Sequence, residues 1–220
     1  MKPAVVSLLL VFAVSAVPAR AQEPPPPIPI IVIDVQGNVP RFPQDPLLAR
    51  SRELSETELP GAGLGGQIGA HLYPMKFKAV TFGLGGQVVV ARATQTPAAA
   101  AQTQIKAVTE KFRSLAAQLS LNFGTGTGWS YLSAGIGRSN WSIVPDGSEP
   151  LEGDDEVLKT INYGGGARWF AKSHLAFSFD VRLYAINPGS PSSSRIPGNK
   201  PLPGSPRTTF MVIGAGVSLK

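Results

Sequence analysis

Histidine and cysteine, two residue types that often catalyse reactions or bind metals, are scarce in this chain of 220 residues. It contains two histidines, His71 and His174, and no cysteine, so a zinc cluster lacks ligands and no thiol nucleophile is present. The glycine-rich segment 124–128 is not followed by the Lys-Ser/Thr pair of a phosphate-binding loop. The sequence therefore predicts no catalytic residue, no metal site and no cofactor.

Nine polar residues could instead form a buried network of ion pairs and hydrogen bonds. If the segments around them are β-strands, all nine lie on the same face of those strands. Buried charges persist only when they are paired and hydrogen-bonded. We expect Arg168 and Arg182 to pair with Asp34 and Asp180 inside an enclosed polar network. The nine residues are Asp34, Gln36, Gln67, His71, Gln118, Asn162, Arg168, Asp180 and Arg182.

Six basic residues fall on the opposite, otherwise apolar face, each at the end of a strand-like segment. Arginine has the bidentate geometry that phosphate groups require, which favours an anion-binding rim. The alternative is that these side chains simply extend to water at the strand ends. They are Arg41, Arg92, Arg113, Arg138, Lys159 and Arg207.

The elements that must position both sets alternate apolar and polar residues with a period of two. This period predicts β-strands, and each segment has about the length of a tilted membrane-spanning strand. In residues 175–186, for example, Leu175, Phe177 and Phe179 share one face while Ser178 and Asp180 share the other. The eight segments are 30–41, 64–75, 79–92, 113–123, 129–141, 158–170, 175–186 and 209–219.

The intervals between these segments are alternately long and short. An antiparallel up-and-down meander places alternate connections at opposite ends of the sheet, so all long loops share one end. Their proline and small polar residues predict mobile loops rather than a preformed pocket. The long intervals are 43–60, 93–111, 145–156 and 187–207, and the short ones are 76–78, 124–128 and 171–174.

The polar face is rich in glycine, which weakens solvent-facing strands but leaves room for large side chains in a narrow lumen. We therefore place the polar face inside a closed barrel and the apolar face in a bilayer, where only a closed sheet satisfies every backbone group. Phe82, Phe123 and Trp169 have outward parity near the short turns, as an interfacial girdle requires. A soluble lipocalin-like barrel, with an apolar interior, is the alternative.

The N-terminus has the features of a secretory signal peptide. Lys2 precedes an apolar run, 4–17, and Ala19-Arg20-Ala21 supplies a small-x-small cleavage pattern. We expect a signal peptide at 1–21, a proline-rich stub at 22–29 and the barrel at 30–220. The formal net charge of +6 is too weak to favour a nucleic-acid partner, and two of its positive charges leave with the signal peptide.

The signal, the eight strands, the loop pattern and segments such as 128–137 (GWSYLSAGIG) and 161–169 (INYGGGARW) resemble the small OmpA/OmpX-type eight-stranded outer-membrane β-barrel domains. The resemblance implies an integral protein of the Gram-negative cell outer membrane, with short periplasmic turns and long extracellular loops. It also implies insertion by the barrel-assembly machinery. The basic rim would then face outer-membrane lipid and contact lipopolysaccharide phosphates.

The resulting functional prediction is a monomeric barrel with a structural or surface-interaction role, a plugged lumen and no catalysis. A narrow channel, a lipid-modifying outer-membrane enzyme and a soluble ligand-binding barrel are the alternatives. Against the enzyme, His71 has inward parity and His174 falls at a turn on the periplasmic side, away from outer-leaflet lipid.

Overall fold

The structure is a computed structural model that describes residues 24–96 and 106–220. The predicted signal peptide, 1–21, lies outside the described residues, and so does part of the second long interval, 97–105. The predicted proline-rich stub is described from Pro24 onward.

Eight antiparallel strands follow one another around a closed barrel, and β8 pairs with β1 to complete it. The predicted all-β, eight-stranded, up-and-down barrel is confirmed. The strands are β1 (Ile31–Arg41), β2 (Leu64–Phe77), β3 (Val80–Gln95), β4 (Val108–Thr125), β5 (Gly128–Pro145), β6 (Leu158–Phe170), β7 (Leu175–Ile186) and β8 (Thr208–Leu219).

The described parts of the long connections contain three short helices: α1 (Pro46–Arg50), a 3-10 helix (Glu56–Glu58) and α2 (Glu152–Asp155). Asp45 caps α1, because its carboxylate accepts hydrogen bonds from the backbone of Leu47 at 2.8 Å and Leu48 at 3.0 Å. Within the described part of the chain, no helix is long and apolar enough to cross a membrane.

The two faces of each strand have opposite chemistry, and the polar face lies inside. On β4, Leu115 and Leu119 are exposed on the outer wall, whereas Ser114 and Gln118 are buried in the lumen. Ile136 on β5 is 72% exposed. Because side chains alternate across a strand, the same arrangement holds on each strand through the middle of the barrel, and it differs from the apolar interior of a lipocalin-like barrel.

Inward glycines provide the space that the large lumen side chains occupy. A Cβ atom on Gly85 would lie 2.4 Å from His71 Nδ1, and one on Gly166 would lie 2.6 Å from the Tyr131 hydroxyl. Both distances are shorter than van der Waals contact. Backbone oxygens are also too close, with Ala70 O at 2.7 Å from the first and Phe179 O at 2.1 Å from the second, so a side chain at either position would clash with the sheet as well as with the ring.

At the end with the long loops, β3, β4 and β5 extend beyond the predicted segments. β4 begins at Val108 instead of 113, and β5 continues to Pro145, with which Val108 pairs. In this extension the inward side chains are mainly apolar, including Phe112 and Ile143. The polarity of the inner face thus changes along one strand, and the period-two pattern did not predict these ends.

Candidate functional site

Asp34 on β1 is the centre of one group of buried polar side chains. Arg168 on β6 donates from Nε to Asp34 Oδ1 at 2.9 Å and from Nη2 to Oδ2. His71 Nε2 on β2 lies 3.2 Å from Oδ2, and the Ser218 hydroxyl on β8 donates to Oδ1. The Asp34 carboxylate therefore joins side chains from three other strands across the lumen.

Asp180 on β7 is the centre of a second group. Arg182 donates from Nε to one carboxylate oxygen at 3.2 Å and from Nη2 to the other at 3.0 Å, and the Tyr131 hydroxyl donates to Asp180 at 2.7 Å. Arg182 also donates to Asn162 at 2.9 Å and to Ser133 at 2.8 Å. These charges are paired and hydrogen-bonded, the condition under which buried ions are tolerated.

Tyr131 connects the two groups, because its ring lies 4.4 Å from the Arg168 guanidinium carbon, within cation–π range. Gln118 extends the second group by donating to Asn162 at 3.3 Å and to Gln87 at 2.7 Å. Gln67 donates to Gln36, which donates to Ser178 at 2.8 Å. All nine residues named from the sequence for the lumen are buried in the structure.

The sequence reasoning did not include several partners in these groups. Each has inward parity, so the alternation carried a signal for it. The contacts between inward residues depend on the register between strands that are distant in sequence. The period-two alternation within one strand does not contain that register. The omitted partners are Gln87, Tyr131, Ser133, Ser178 and Ser218.

An aromatic layer fills the barrel above the polar groups, toward the long loops. Its ring centroids are separated by 4.8 to 5.8 Å, distances typical of packed aromatic pairs. Beside it, buried Glu110 accepts a hydrogen bond from Trp141 Nε1 at 2.6 Å. The layer consists of Phe42, Phe112, Trp141, Tyr184 and Phe210.

The proline-rich segment 24–29 packs against the opposite end of the barrel. Ile28 is buried in one cluster with Tyr73 and Trp129. In the β4–β5 turn, the Gly126 backbone N–H donates to the carbonyl of Pro26 at 2.6 Å. The segment predicted as a short extended stub is therefore part of the packed structure at this end.

Three of the long loops are tied together over the other end, two of them by a buried ion pair and the third by hydrogen bonds to backbone carbonyls. Arg52, in the β1–β2 loop, donates to Asp154 in the β5–β6 loop at 2.9 Å, and both are buried. From the β7–β8 loop, Arg195 donates to the carbonyls of Arg52 at 2.7 Å and Glu149 at 3.1 Å. We call this assembly the loop cap.

The pKa of Arg195 lies below its ordinary value, because partial burial outweighs the favourable fields of the Asp154 and Glu53 carboxylates. The nearby Arg52 guanidinium lowers the pKa further. The loop cap thus holds two cations close together, and for Arg195 the neighbouring carboxylates compensate only part of the cost of burial.

The loop cap differs from the expectation that the long loops carry no fixed arrangement. Ser51 and Arg52 are fully buried, and the Gly153 backbone N–H donates to Ser192 across two loops at 2.9 Å. Proline and small polar residues made these segments look unstructured, but a few charged side chains between them provide long-range contacts.

The six predicted rim residues are all exposed: Arg41, Arg92, Arg113, Arg138, Lys159 and Arg207. Three of them, Arg41, Lys159 and Arg207, lie at or beside the ends of their strands next to the long loops. The expectation that each stands at a strand end does not hold for Arg92, Arg113 and Arg138, because β3 continues to Gln95, β4 begins at Val108 and β5 continues to Pro145. Arg207 precedes β8 rather than lying within it. Lys111, a further exposed cation on β4, was not predicted because the sequence reasoning assigned it to a loop.

Residues 24–96 and 106–220 contain no group of three or more His, Cys, Asp or Glu side chains placed to hold a metal ion.

The closed antiparallel barrel has the fold of the small eight-stranded outer-membrane barrels of the OmpA/OmpX type. It is similar to Neisserial surface protein A, with a TM-score of 0.52 and 14% identity over 86% of this chain and 96% of that one. Another similar structure is Ail, the attachment invasion locus protein of Yersinia pestis, in complex with the heparin analogue sucrose octasulfate. Its TM-score is 0.42 at 13% identity, with the same coverage of both chains. No family model and no curated protein matches the sequence.

Proposed function

We propose that this protein is an integral outer-membrane β-barrel with a structural or surface-interaction role, a closed lumen and no catalytic activity. The observation that carries the proposal is the inverted polarity of the barrel, with apolar side chains outside and ion pairs inside. In water this apolar outer surface would be exposed to solvent, whereas a bilayer solvates it. The closed sheet also leaves no strand edge unpaired, as a β-structure that spans a membrane requires.

Three layers support a closed lumen. The aromatic layer lies toward the loop end, the Asp34 and Asp180 groups occupy the middle, and Ile28 with Trp129 packs at the turn end. Eight strands leave an interior that side chains can fill. The barrel then acts as a scaffold that presents the loop cap at the cell surface.

The absence of catalysis is proposed from the surroundings of the two histidines. His71 is buried beside Asp34 in the lumen, and His174 lies in the β6–β7 turn, next to Ser173. Neither position faces the rim where a lipid substrate would be cleaved. A nucleophile and base must be within hydrogen-bond reach of each other and of the substrate.

The proposed partners are outer-membrane lipid and lipopolysaccharide at the basic rim, and the barrel-assembly machinery during insertion. Cations at the membrane interface cost almost nothing, whereas at the midplane they cost about 2 to 4 kcal/mol, so the rim positions suit contact with phosphates. We propose a monomer, because the closed sheet has no free edge through which copies would pair.

The test combines membrane extraction with single-channel recording. The protein should leave the membrane fraction only with detergent, and in planar bilayers of phosphatidylcholine its conductance should stay at background. Release by salt or alkali would contradict the membrane proposal. A steady open current would instead contradict the closed lumen and favour a narrow channel.

A further inference from the structure

The two strands that close the barrel are continued by segments that meet on the opposite wall. β8 pairs with β1 to close the sheet, and β4 and β5 lie across the lumen from this seam. Gly126, in the β4–β5 turn, donates from its backbone N–H to the Pro26 carbonyl at 2.6 Å. The Gly126 carbonyl accepts a hydrogen bond from Lys220 Nζ at 2.9 Å. Because Pro26 precedes β1 and Lys220 follows β8, one turn residue contacts the extensions of both seam strands.

Residues 24–30, which we call the strap, are fitted to the turn end of the barrel. Ile28 is 8% exposed and packs with Tyr73 and Trp129. The Ile30 carbonyl accepts a hydrogen bond from the Tyr73 backbone N–H at 2.8 Å. Five of the seven residues of the strap are prolines, and their fixed φ angles limit the conformational freedom that docking removes. The strap therefore makes specific contacts at a low entropic cost.

The glycine at position 126 is required by the strap rather than by the turn. A Cβ atom on Gly126 would lie 2.3 Å from the Pro27 carbonyl oxygen and 3.0 Å from that of Pro26. Gly126 is not among the described glycines with a positive φ angle, so the turn does not need the left-handed conformation that favours glycine. An alanine at this position would keep the turn and exclude the strap.

Lys220 reaches the same turn from the other side of the seam. Its backbone N–H donates to the His174 carbonyl at 3.2 Å, which holds the end of β8 against the β6–β7 turn. Its ammonium group lies 4.1 Å from the Phe170 ring centroid, within cation–π range. The Phe170 ring stacks on Trp129, with centroids 5.4 Å apart. Lys220 and the strap thus share one aromatic support.

The seam is a weak pairing that gains from such support. β1 is the shortest strand, with 11 residues, whereas β4 and β5 have 18 each. The seam joins residues such as Ile33 and Leu219, and bringing together residues so distant in sequence carries a large loss of chain entropy. A strand held by few hydrogen bonds opens locally at low free energy. The strap and Lys220 connect this seam to the long β4–β5 pairing, which runs from Val108 to Thr125.

We propose that the strap, Gly126 and Lys220 form a latch that holds the β1–β8 seam closed at the turn end. With the latch undocked, the seam opens first at Ile33 and Leu219, and Trp129 is uncovered. The latch goes beyond the proposed function, because its contacts lie within the chain and do not depend on lipid, on the long loops or on a partner.

Hydrogen exchange of the protein refolded in detergent micelles tests the latch, with mass spectrometry to locate the exchanging amides. In Gly126→Ala, peptides from the start of β1 and the end of β8 should exchange about tenfold faster than in the wild type, because the added methyl group excludes the strap. Peptides from the β3–β4 pairing should be unchanged. The matched control is Gly37→Ala, which adds the same methyl group to β1 itself. Its nearest neighbour there, the Ala215 carbonyl oxygen, is 4.0 Å away, so exchange should equal that of the wild type.

Lys220→Gln removes the second half of the latch alone. Peptides from the end of β8 should then exchange several-fold faster, while those from the β3–β4 pairing keep the wild-type rate. Equal exchange at the seam in Gly126→Ala and in the wild type would overturn the latch. Equal acceleration in the β3–β4 pairing would also overturn it, because it would show a general loss of stability.

A thiol on the strap gives a second measurement that leaves Gly126 unchanged. The chain has no cysteine, so Ile28→Cys carries a single reactive group. It should react with a water-soluble maleimide at least about tenfold more slowly than Ser173→Cys, at an exposed position in the β6–β7 turn. Equal rates would show an undocked strap and overturn the latch. Failure of the wild type to enter a bilayer would instead contradict the proposed function and would not alter these measurements in micelles.

Discussion

At the residue scale, the stability of the barrel depends on how a few buried charges are compensated. Asp34 and Asp180 each hold one arginine, and Tyr131 contacts both groups through its ring and its hydroxyl. Because these side chains are buried, removing one member of a pair leaves the other charge uncompensated, whereas removing both members does not.

This difference gives a prediction for the Asp180 group. Asp180→Ala should destabilise the barrel by about 3 to 5 kcal/mol, because Arg182 would remain buried without its carboxylate. The double variant D180A/R182A should recover part of that loss. The measurement is heat-induced unfolding in detergent micelles, with the exposed Asp155→Ala as control. A midpoint for Asp180→Ala equal to that of the wild type would show that the network does not stabilise the fold.

At the element scale, the long loops are ordered by contacts with one another rather than by their own helices. α1 and α2 are five and four residues long, too short to be stable alone. The Asp154 carboxylate holds the cap together, since it accepts from Arg52 and from the backbone of Ile143 and Leu151, each at 2.9 Å.

Removing that carboxylate should release the loops. In Asp154→Ala, trypsin should cleave after Arg52 at least about tenfold faster than in the wild type, because protease needs a locally opened chain and the buried pair that closes it is lost. Asp155→Ala, one residue further along α2 but exposed, should leave the rate unchanged. Rapid cleavage after Arg52 in the wild type would contradict the loop cap.

At the scale of the whole molecule, the meander places the four long connections at one end and the three short turns, with both termini of the barrel, at the other. The orientation in the membrane follows from the proposed function, which assigns the long connections to the cell exterior. Lys106, in the β3–β4 connection, and Lys172, in the β6–β7 turn, are exposed at opposite ends.

These two lysines test the orientation. Trypsin added to intact cells should cleave after Lys106 and leave Lys172 uncut, and permeabilised cells should lose both sites. The fragments can be identified by mass spectrometry. Replacing each lysine with Gln provides the control for its own band. Cleavage after Lys172 in intact cells, with Lys106 protected, would mean that the barrel has the inverse orientation.

The sequence by itself determined the number of strands, their order and the face that each side chain occupies. Side chains alternate with a strict period of two, so the amphipathic pattern of Leu175 to Ile186 assigns its residues to faces without knowledge of any other strand. The alternation also places Asp180 and Arg182 together on the inner face, because they are two residues apart on one strand.

The tertiary structure decided which distant groups meet. Arg168 and Asp34 are 134 residues apart, and only closure of the sheet in one register brings them together. The loop cap also depends on contacts between segments that lack a periodic pattern, such as Arg52 with Asp154. The change from a polar to an apolar inner face near Phe112 and Trp141 also depends on tertiary contacts. Strands β4 and β5 extend toward the long loops, and there the inward side chains of other strands form an apolar interior around these rings.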